Sequence, residues 1–142
     1  MVVVNLVQQV KAEPEQLLNL LIDHENLSRF FNASFNIVRA SQEGEIIGGK
    51  GTQRRVTTMG QCFIEEITKA DVEGIEYHIV GSRPLKHHRG NITFSPNSQG
   101  TLMSYYIEGI APSYLPSFLV QYLLNRDIQK TMKAIAKHFD TK

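Results

Sequence analysis

Lys86-His87-His88-Arg89 is the densest group of chemically capable side chains in the chain: two imidazoles framed by two cations. Adjacent histidines serve a metal, an anion or a proton relay only if both rings reach one point. Segment 87–95 alternates as a strand does, and successive strand side chains leave on opposite faces, so His87 and His88 do not share a ligand. His24, His78 and His138 fall on other segments and Cys62 is a lone cysteine, so the spacing of a structural metal site is missing and none is expected. Arg89 falls on the outer face opposite Glu108, an exposed cross-strand pair worth roughly a few tenths of a kcal/mol. His87 is solvated. His88 turns inward beside Gly90, facing Ile79 and Gly109. A buried imidazole needs a hydrogen-bond partner that also tunes its proton affinity. It reads either as a satisfied histidine in a cavity wall or as a ligand-binding or acid/base group.

Arg54 and Glu65 are the second inward anomaly. A two-residue turn at Met59-Gly60 sets them opposite each other on an apolar face, where one charge alone is costly and a pair survives. Two roles stay open. They form a structural ion pair, or Arg54 donates to a carbonyl, enolate or carboxylate of a ligand with Glu65 orienting it. Tyr77 and Tyr105 either add phenolic hydroxyls to the same place or pack as core with a satisfied tip. Gly48-Gly49-Lys50-Gly51 lacks the phosphate-loop spacing and precedes a strand rather than a helix, which predicts a flexible loop. No serine sits in a Gly-x-Ser-x-Gly elbow, so serine-hydrolase chemistry has no support.

These groups need a sheet to position them. Residues 2–10 are rich in valine and predict a strand. Pro14, with Glu13 and Glu15 about it, opens a helix that carries Leu17, Leu18, Leu21 and Ile22 at helical spacing. Asp23-His24-Glu25-Asn26 breaks it, and 27–31 predicts a second short helix. From 35 to 110 the period is two, with strands expected at 35–42, 51–58, 61–69, 75–81, 87–95 and 101–110. Hairpin registers follow from the turns: Val56 opposite Phe63, Tyr77 opposite Gly90, Ile79 opposite His88, Ile92 opposite Tyr105 and Phe94 opposite Met103. They gather Val56, Phe63, Ile67, Ile92, Phe94 and Met103 on one face and polar residues on the other, with Cys62, Ile64, Leu102 and Tyr106 as apolar exceptions. From Ser113, a possible cap, Leu115, Phe118, Leu119, Tyr122, Leu123, Ile128, Met132, Ile135 and Phe139 recur at three- and four-residue steps. They predict a helix of about 25 residues, roughly 38 Å long, covering the apolar face.

The bulk properties narrow the function. A chain of 142 residues suits a single domain spanning 1–142. Fifteen basic against 14 acidic residues leave no field for nucleic acid. The single cysteine fits a reducing compartment, and no secretory leader or membrane-length apolar run occurs, so a cytoplasmic protein without stable membrane insertion is expected.

The strings Ala12-Glu13-Pro14-Glu15, Leu17-Leu18, Asp23-His24-Glu25-Asn26-Leu27, Gly51-x-x-Arg54, Glu65-x-Ile67-Thr68-x-x-Asp71, Tyr77, Gly90 and Gly100-Thr101, in that order, resemble the START-like (SRPBCC) superfamily, especially its polyketide cyclase/dehydrase and lipid-transport branch. The resemblance spans nearly the whole chain. Where many relatives carry a tryptophan in the last strand, this chain has Tyr105. The resemblance implies an α+β helix-grip fold: a curved antiparallel sheet of about seven strands wrapped on a long C-terminal helix, with two short helices after the first strand. It also implies an apolar or aromatic ligand held between sheet and helix. The expected ligand-binding set is Arg54, Glu65, Tyr77, His88, Phe94, Met103, Tyr105, Phe118, Tyr122 and Met132, with 44–51 and 114–118 as the gate. No cofactor is called for. The leading function is binding or transport of a hydrophobic small molecule, lipid or polyketide-like, by a monomer or homodimer. One rival is a cyclase, dehydratase or isomerase in which His88 or Tyr105 moves a proton and Arg54 stabilises an enolate. The other is a protein-interaction module using the patch around Ile64, Leu102 and Tyr106.

Overall fold

A computed structural model describes residues 1–140. Strand β1 (Val2–Val10) is followed by helix α1 (Pro14–Leu21), whose start is closed by a capping box: Gln16 Oε1 accepts the Glu13 N–H at 2.8 Å, and Pro14 occupies the first turn. Leu17, Leu18 and Leu21 bury its inner face. The second short helix is a 3-10 helix over His24–Arg29, three residues earlier than the apolar spacing suggests. Asp23 is the cause. Its carbonyl accepts the Asn26 N–H at 3.1 Å and its carboxylate accepts the Asn26 side chain at 2.9 Å, which turns the chain at once instead of leaving a loop.

The remaining strands are β2 (Ser34–Arg39), β3 (Gln53–Thr58), β4 (Gln61–Asp71), β5 (Gly74–Val80), β6 (Lys86–Asn97) and β7 (Gly100–Ile110), and the chain closes with helix α2 (Ser117–Asp140). All seven strands form one antiparallel sheet in the order β1-β7-β6-β5-β4-β3-β2. The β3–β4 turn has φ of 48° at Met59 and 75° at Gly60, the left-handed pair that a two-residue hairpin requires. That turn pairs Arg54 with Glu65 and Val56 with Phe63, as the alternation predicts; Tyr77 with Gly90, Ile92 with Tyr105 and Phe94 with Met103 also pair as read.

One register departs. The ladder of β5 with β6 ends at Tyr77 and Gly90, so Ile79 and His88 are not a strand pair. A bulge lies here: Lys86 pairs with Ile110 and Arg89 with Glu108, three steps on β6 against two on β7, with His87 at φ 50°. The bulge frees the His88 ring from the ladder. Arg89 and Glu108 make the expected surface pair at 2.7 Å.

The inner face carries the core: Val4, Ile67, Ile92, Phe94, Met103 and Tyr105 pack against α1 and the second half of α2. Ile128, Met132, Ile135 and Phe139 of α2 are buried, whereas Phe118 is 77% and Tyr122 63% exposed. Helix α2 therefore buries most of its side chains along its C-terminal half, while in its first half Gln121 Oε1 accepts the Val3 N–H at 3.1 Å and Leu124 packs against the core; at 24 residues it starts after Pro116, not at Ser113. Among the described residues no helix is long and apolar enough to cross a membrane.

Candidate functional site

Between the first half of α2 and the sheet lies a cavity of about 280 Å³. Its walls are apolar, with Phe31, Phe35, Phe63, Leu85, Leu123 and Ile128 prominent, and its floor holds Arg54, Glu65, Tyr77, His88 and Tyr105. The lining residues Asn32, Met59 and Gln61 mark where it opens to solvent. Five of the residues named from the sequence thus converge. Phe94, Met103 and Met132 are buried core outside the cavity, and Phe118 and Tyr122 lie on the outer surface, so these five do not line it. Of the two segments expected to form the gate, only the second lies near the cavity. Pro112 and Leu115 lie on the cavity, but loop 44–51 does not; its Gly48 sits against Ile22 and His24 on the far side of Arg54.

Arg54 is held through three of its five N–H groups. Its Nε and Nη2 donate to one oxygen of Glu65, Oε1, at 3.0 and 2.8 Å, and its Nη1 donates to His24 Nδ1 at 3.0 Å. His24 in turn donates from Nε2 to the Gly48 carbonyl at 2.7 Å, which fixes Nδ1 as the acceptor. The guanidinium carbon stands 4.8 Å from the Phe35 ring centre and 5.0 Å from that of Tyr77. Burial, reinforced by the Arg54 charge, lowers the His24 pKa to about 4, so the ring is neutral as this geometry needs. His24 was missed in the sequence, where it marks only a helix break. The available signal was stoichiometric: a buried guanidinium has five N–H groups, and one carboxylate does not satisfy them.

Burial raises the Glu65 pKa while the Arg54 charge and its two N–H bonds onto Oε1 oppose the rise. Its second oxygen, Oε2, has no hydrogen bond among the described residues. It is nonetheless not sealed in, because among those residues Thr52 Oγ1 is the one fully buried side-chain polar atom without a partner.

His88 shows the complementary state. The Ile79 backbone N–H donates to its Nδ1 at 3.1 Å, and burial, followed by the His78 and Arg54 charges, lowers its pKa to about 4. A neutral imidazole whose Nδ1 accepts carries its proton on Nε2, so His88 offers a donor to the cavity. Tyr77 and Tyr105 hydrogen-bond through their hydroxyls, and burial raises both pKa values, so both remain phenols. Gly90 makes room for this arrangement: a Cβ there would overlap the Tyr77 ring.

Comparison with known proteins agrees with this architecture. Residues 1–140 match the family described as polyketide cyclase / dehydrase and lipid transport. A START superfamily protein from Mycobacterium smegmatis superposes with a TM-score of 0.80 at 16% identity, covering 98% of this chain and 97% of that one. A protein from Thermus thermophilus superposes at 0.75 with 21% identity over 98% and 97% of the two chains. The Aha1 dimer from Colwellia psychrerythraea reaches 0.73 at 14% identity over 98% and 96%. At these identities the structures speak for the fold. No curated protein matches in sequence. The match over nearly its whole length places this chain in the polyketide cyclase/dehydrase and lipid-transport family, and its fold is that of the START superfamily protein above.

Proposed function

We propose that the chain binds, and by releasing again transports, a hydrophobic small molecule such as a lipid or polyketide-like compound in the cavity between the sheet and α2. The carrying observation is the cavity itself: about 280 Å³ of space with mostly apolar walls, where a filled core would have left none. That space is close to the lower end of small-molecule sites, about 300 Å³, and suits a compact ring system. Binding rests on burial of apolar surface, and the polar floor fixes orientation.

The cyclase or dehydratase reading uses the same pocket and has less support. Catalysis by His88 as a base requires a free ring nitrogen, but Nδ1 holds the Ile79 N–H and Nε2 already carries the proton. Tyr105, its pKa raised by burial, is a weak base candidate too. Native mass spectrometry of freshly purified protein, with extraction and identification of anything carried, tests the reading. A defined apolar adduct that is lost in Leu124→Arg, a cavity-wall change, is the expected result. An apo mass that persists after incubation with apolar extracts would overturn it.

A further inference from the structure

We propose that the outward face of α2 docks on a bilayer that carries anionic lipids. Phe118 and Tyr122 enter the lipid interface, and Arg126, Lys130, Lys133 and Lys137 lie against the headgroups. This surface is separate from the cavity and stands whether or not the cavity holds a ligand.

The two faces of α2 follow from a step of about 100° per residue. Val120, Leu124, Ile128, Thr131 and Ile135 share the face turned to the cavity and the core. The opposite face carries Phe118, Leu119 and Tyr122 over its first turns, and Arg126, Lys130, Lys133 and Lys137 over the rest; all seven are exposed. The face is thus sorted along its length, apolar first and basic after.

The apolar end is more than scattered exposure. Phe118 and Tyr122 are 77% and 63% exposed one helical turn apart, and Tyr114, just before the helix, is 74% exposed. Aromatic rings, and tyrosines with their polar tips above all, suit the boundary between headgroups and acyl chains, where one end is apolar and the other wet.

The basic end selects the partner by charge. The chain as a whole is nearly balanced, with 15 basic against 14 acidic residues, yet this face has four cations and no acid between Phe118 and Lys137. Asp127, the single acid in that stretch, lines the cavity instead, and it meets Arg126 only at 3.5 Å. Lys130, Lys133 and Lys137 make no ion pair among the described residues. Each basic residue near an anionic bilayer strengthens binding by about fivefold. A second copy fits this face poorly, because a symmetric contact along it would set cations against cations. From Phe118 to Lys137 the row is about 28 Å long, which suits a helix lying in the plane of the interface. No described helix is long and apolar enough to cross the membrane, so the docking stays at the surface.

The test is flotation of the full chain with two kinds of vesicle, phosphatidylcholine alone and equimolar phosphatidylcholine and phosphatidylserine, at physiological ionic strength. Wild type is expected to bind the anionic vesicles at least tenfold more strongly, and to lose that advantage in high salt. Lys130→Gln with Lys133→Gln should weaken anionic binding at least tenfold and flatten its salt dependence. Phe118→Ser with Tyr122→Ser should weaken it at least tenfold while the salt dependence stays. Lys50→Gln with Arg55→Gln, the same loss of charge on other exposed surfaces, should leave it within about twofold of wild type. All these side chains are exposed, and circular dichroism checks that each variant is folded. An equal loss in the Lys50 and Arg55 pair would overturn the inference by reducing it to net charge. A lipid-free dimer that dissolves in the Phe118 and Tyr122 variant would give the face to a second copy and overturn it too. Failure of wild type to bind anionic vesicles would overturn it and leave the face to a protein partner. The adduct seen by native mass spectrometry is expected to persist in all three double variants, so failure here is distinct from failure of the cavity reading.

Discussion

Arg54→Met should be among the most damaging single changes in the molecule, and adding Glu65→Leu should repair most of the damage. Both side chains are nearly sealed from solvent, at 7% and 8% exposure. Removing the arginine leaves a buried carboxylate with no counter-charge and His24 Nδ1 with no donor. Breaking a buried pair from one side costs about 3–5 kcal/mol, whereas replacing both members by apolar residues is often near neutral. Against a total stability of about 5–15 kcal/mol, the single change takes a fifth or more of what holds the fold. With a urea slope of about 2 kcal/mol per molar, the midpoint should drop by roughly 2 M in the single variant and by under about 1 M in the double. The chain has no tryptophan, so far-ultraviolet circular dichroism is the suitable probe. Acid should soften the single variant's defect, because burial already raises the Glu65 pKa and the orphaned carboxyl then takes a proton more readily. A single variant within about 1 kcal/mol of wild type, or a double as unstable as the single, would refute the buried ion pair of Arg54 and Glu65 as a mutual dependence.

Three further outcomes are expected. His24 and His88 are held near pKa 4 against about 6.5 when unfolded, so their contribution is complete above pH 6.5 and is lost as pH falls towards 4. Each loses about 1.4 kcal/mol per pH unit in that window, and the raised pKa of Glu65 offsets at most one of them, leaving a net loss to be seen in urea midpoints between pH 7 and 5. A flat profile there would contradict neutral buried imidazoles. Gly90→Ala should cost about 1–3 kcal/mol by driving a methyl into the Tyr77 ring, and should reduce the apolar adduct seen by native mass spectrometry through displacement of the floor. An undiminished adduct in that variant would separate Tyr77 from the site. Phe118→Ser and Tyr122→Ser should leave thermal stability within about 0.5 kcal/mol, while Phe94→Ala and Met132→Ala should each cost about 2–5 kcal/mol.

What could be read in advance divides along physical lines. The hairpin registers were legible because short turns and a strict two-residue alternation leave one pairing that puts Val56, Ile67, Ile92 and Phe94 on the same side. Arg54 opposite Glu65 followed from the same local rule. Phe118 and Tyr122 recur at a helical step, but Tyr122 stands six residues before Ile128, about 120° round the helix, so both fall off the face that Val120, Gln121 and Leu124 turn to the cavity and the sheet; recurrence at three- and four-residue steps did not fix which face was the inner one. His24 was beyond reach for a different reason. It arrives on Arg54 from a separate element 30 residues away, with Gly48 closing the contact from behind. The bulge at His87 was hidden as well, since one extra residue in a strand leaves the composition of the strand unchanged.

The uneven hold on α2 also has a kinetic side. Its C-terminal half is anchored by Ile128, Thr131, Met132, Ile135, Ala136 and Phe139, whereas the turns around Phe118 and Tyr122 face water. Amide protons along this one helix should therefore exchange on a gradient, fast over its first two turns and slow over its last three. Val120, Leu123 and Leu124, in those loosely held turns, are also cavity wall. A molecule could then enter or leave when a short stretch of helix lets go, without parting a single pair of strands. Residence time and affinity would be set by different parts of the chain, the first by the opening turns of α2 and the second by the floor beneath them.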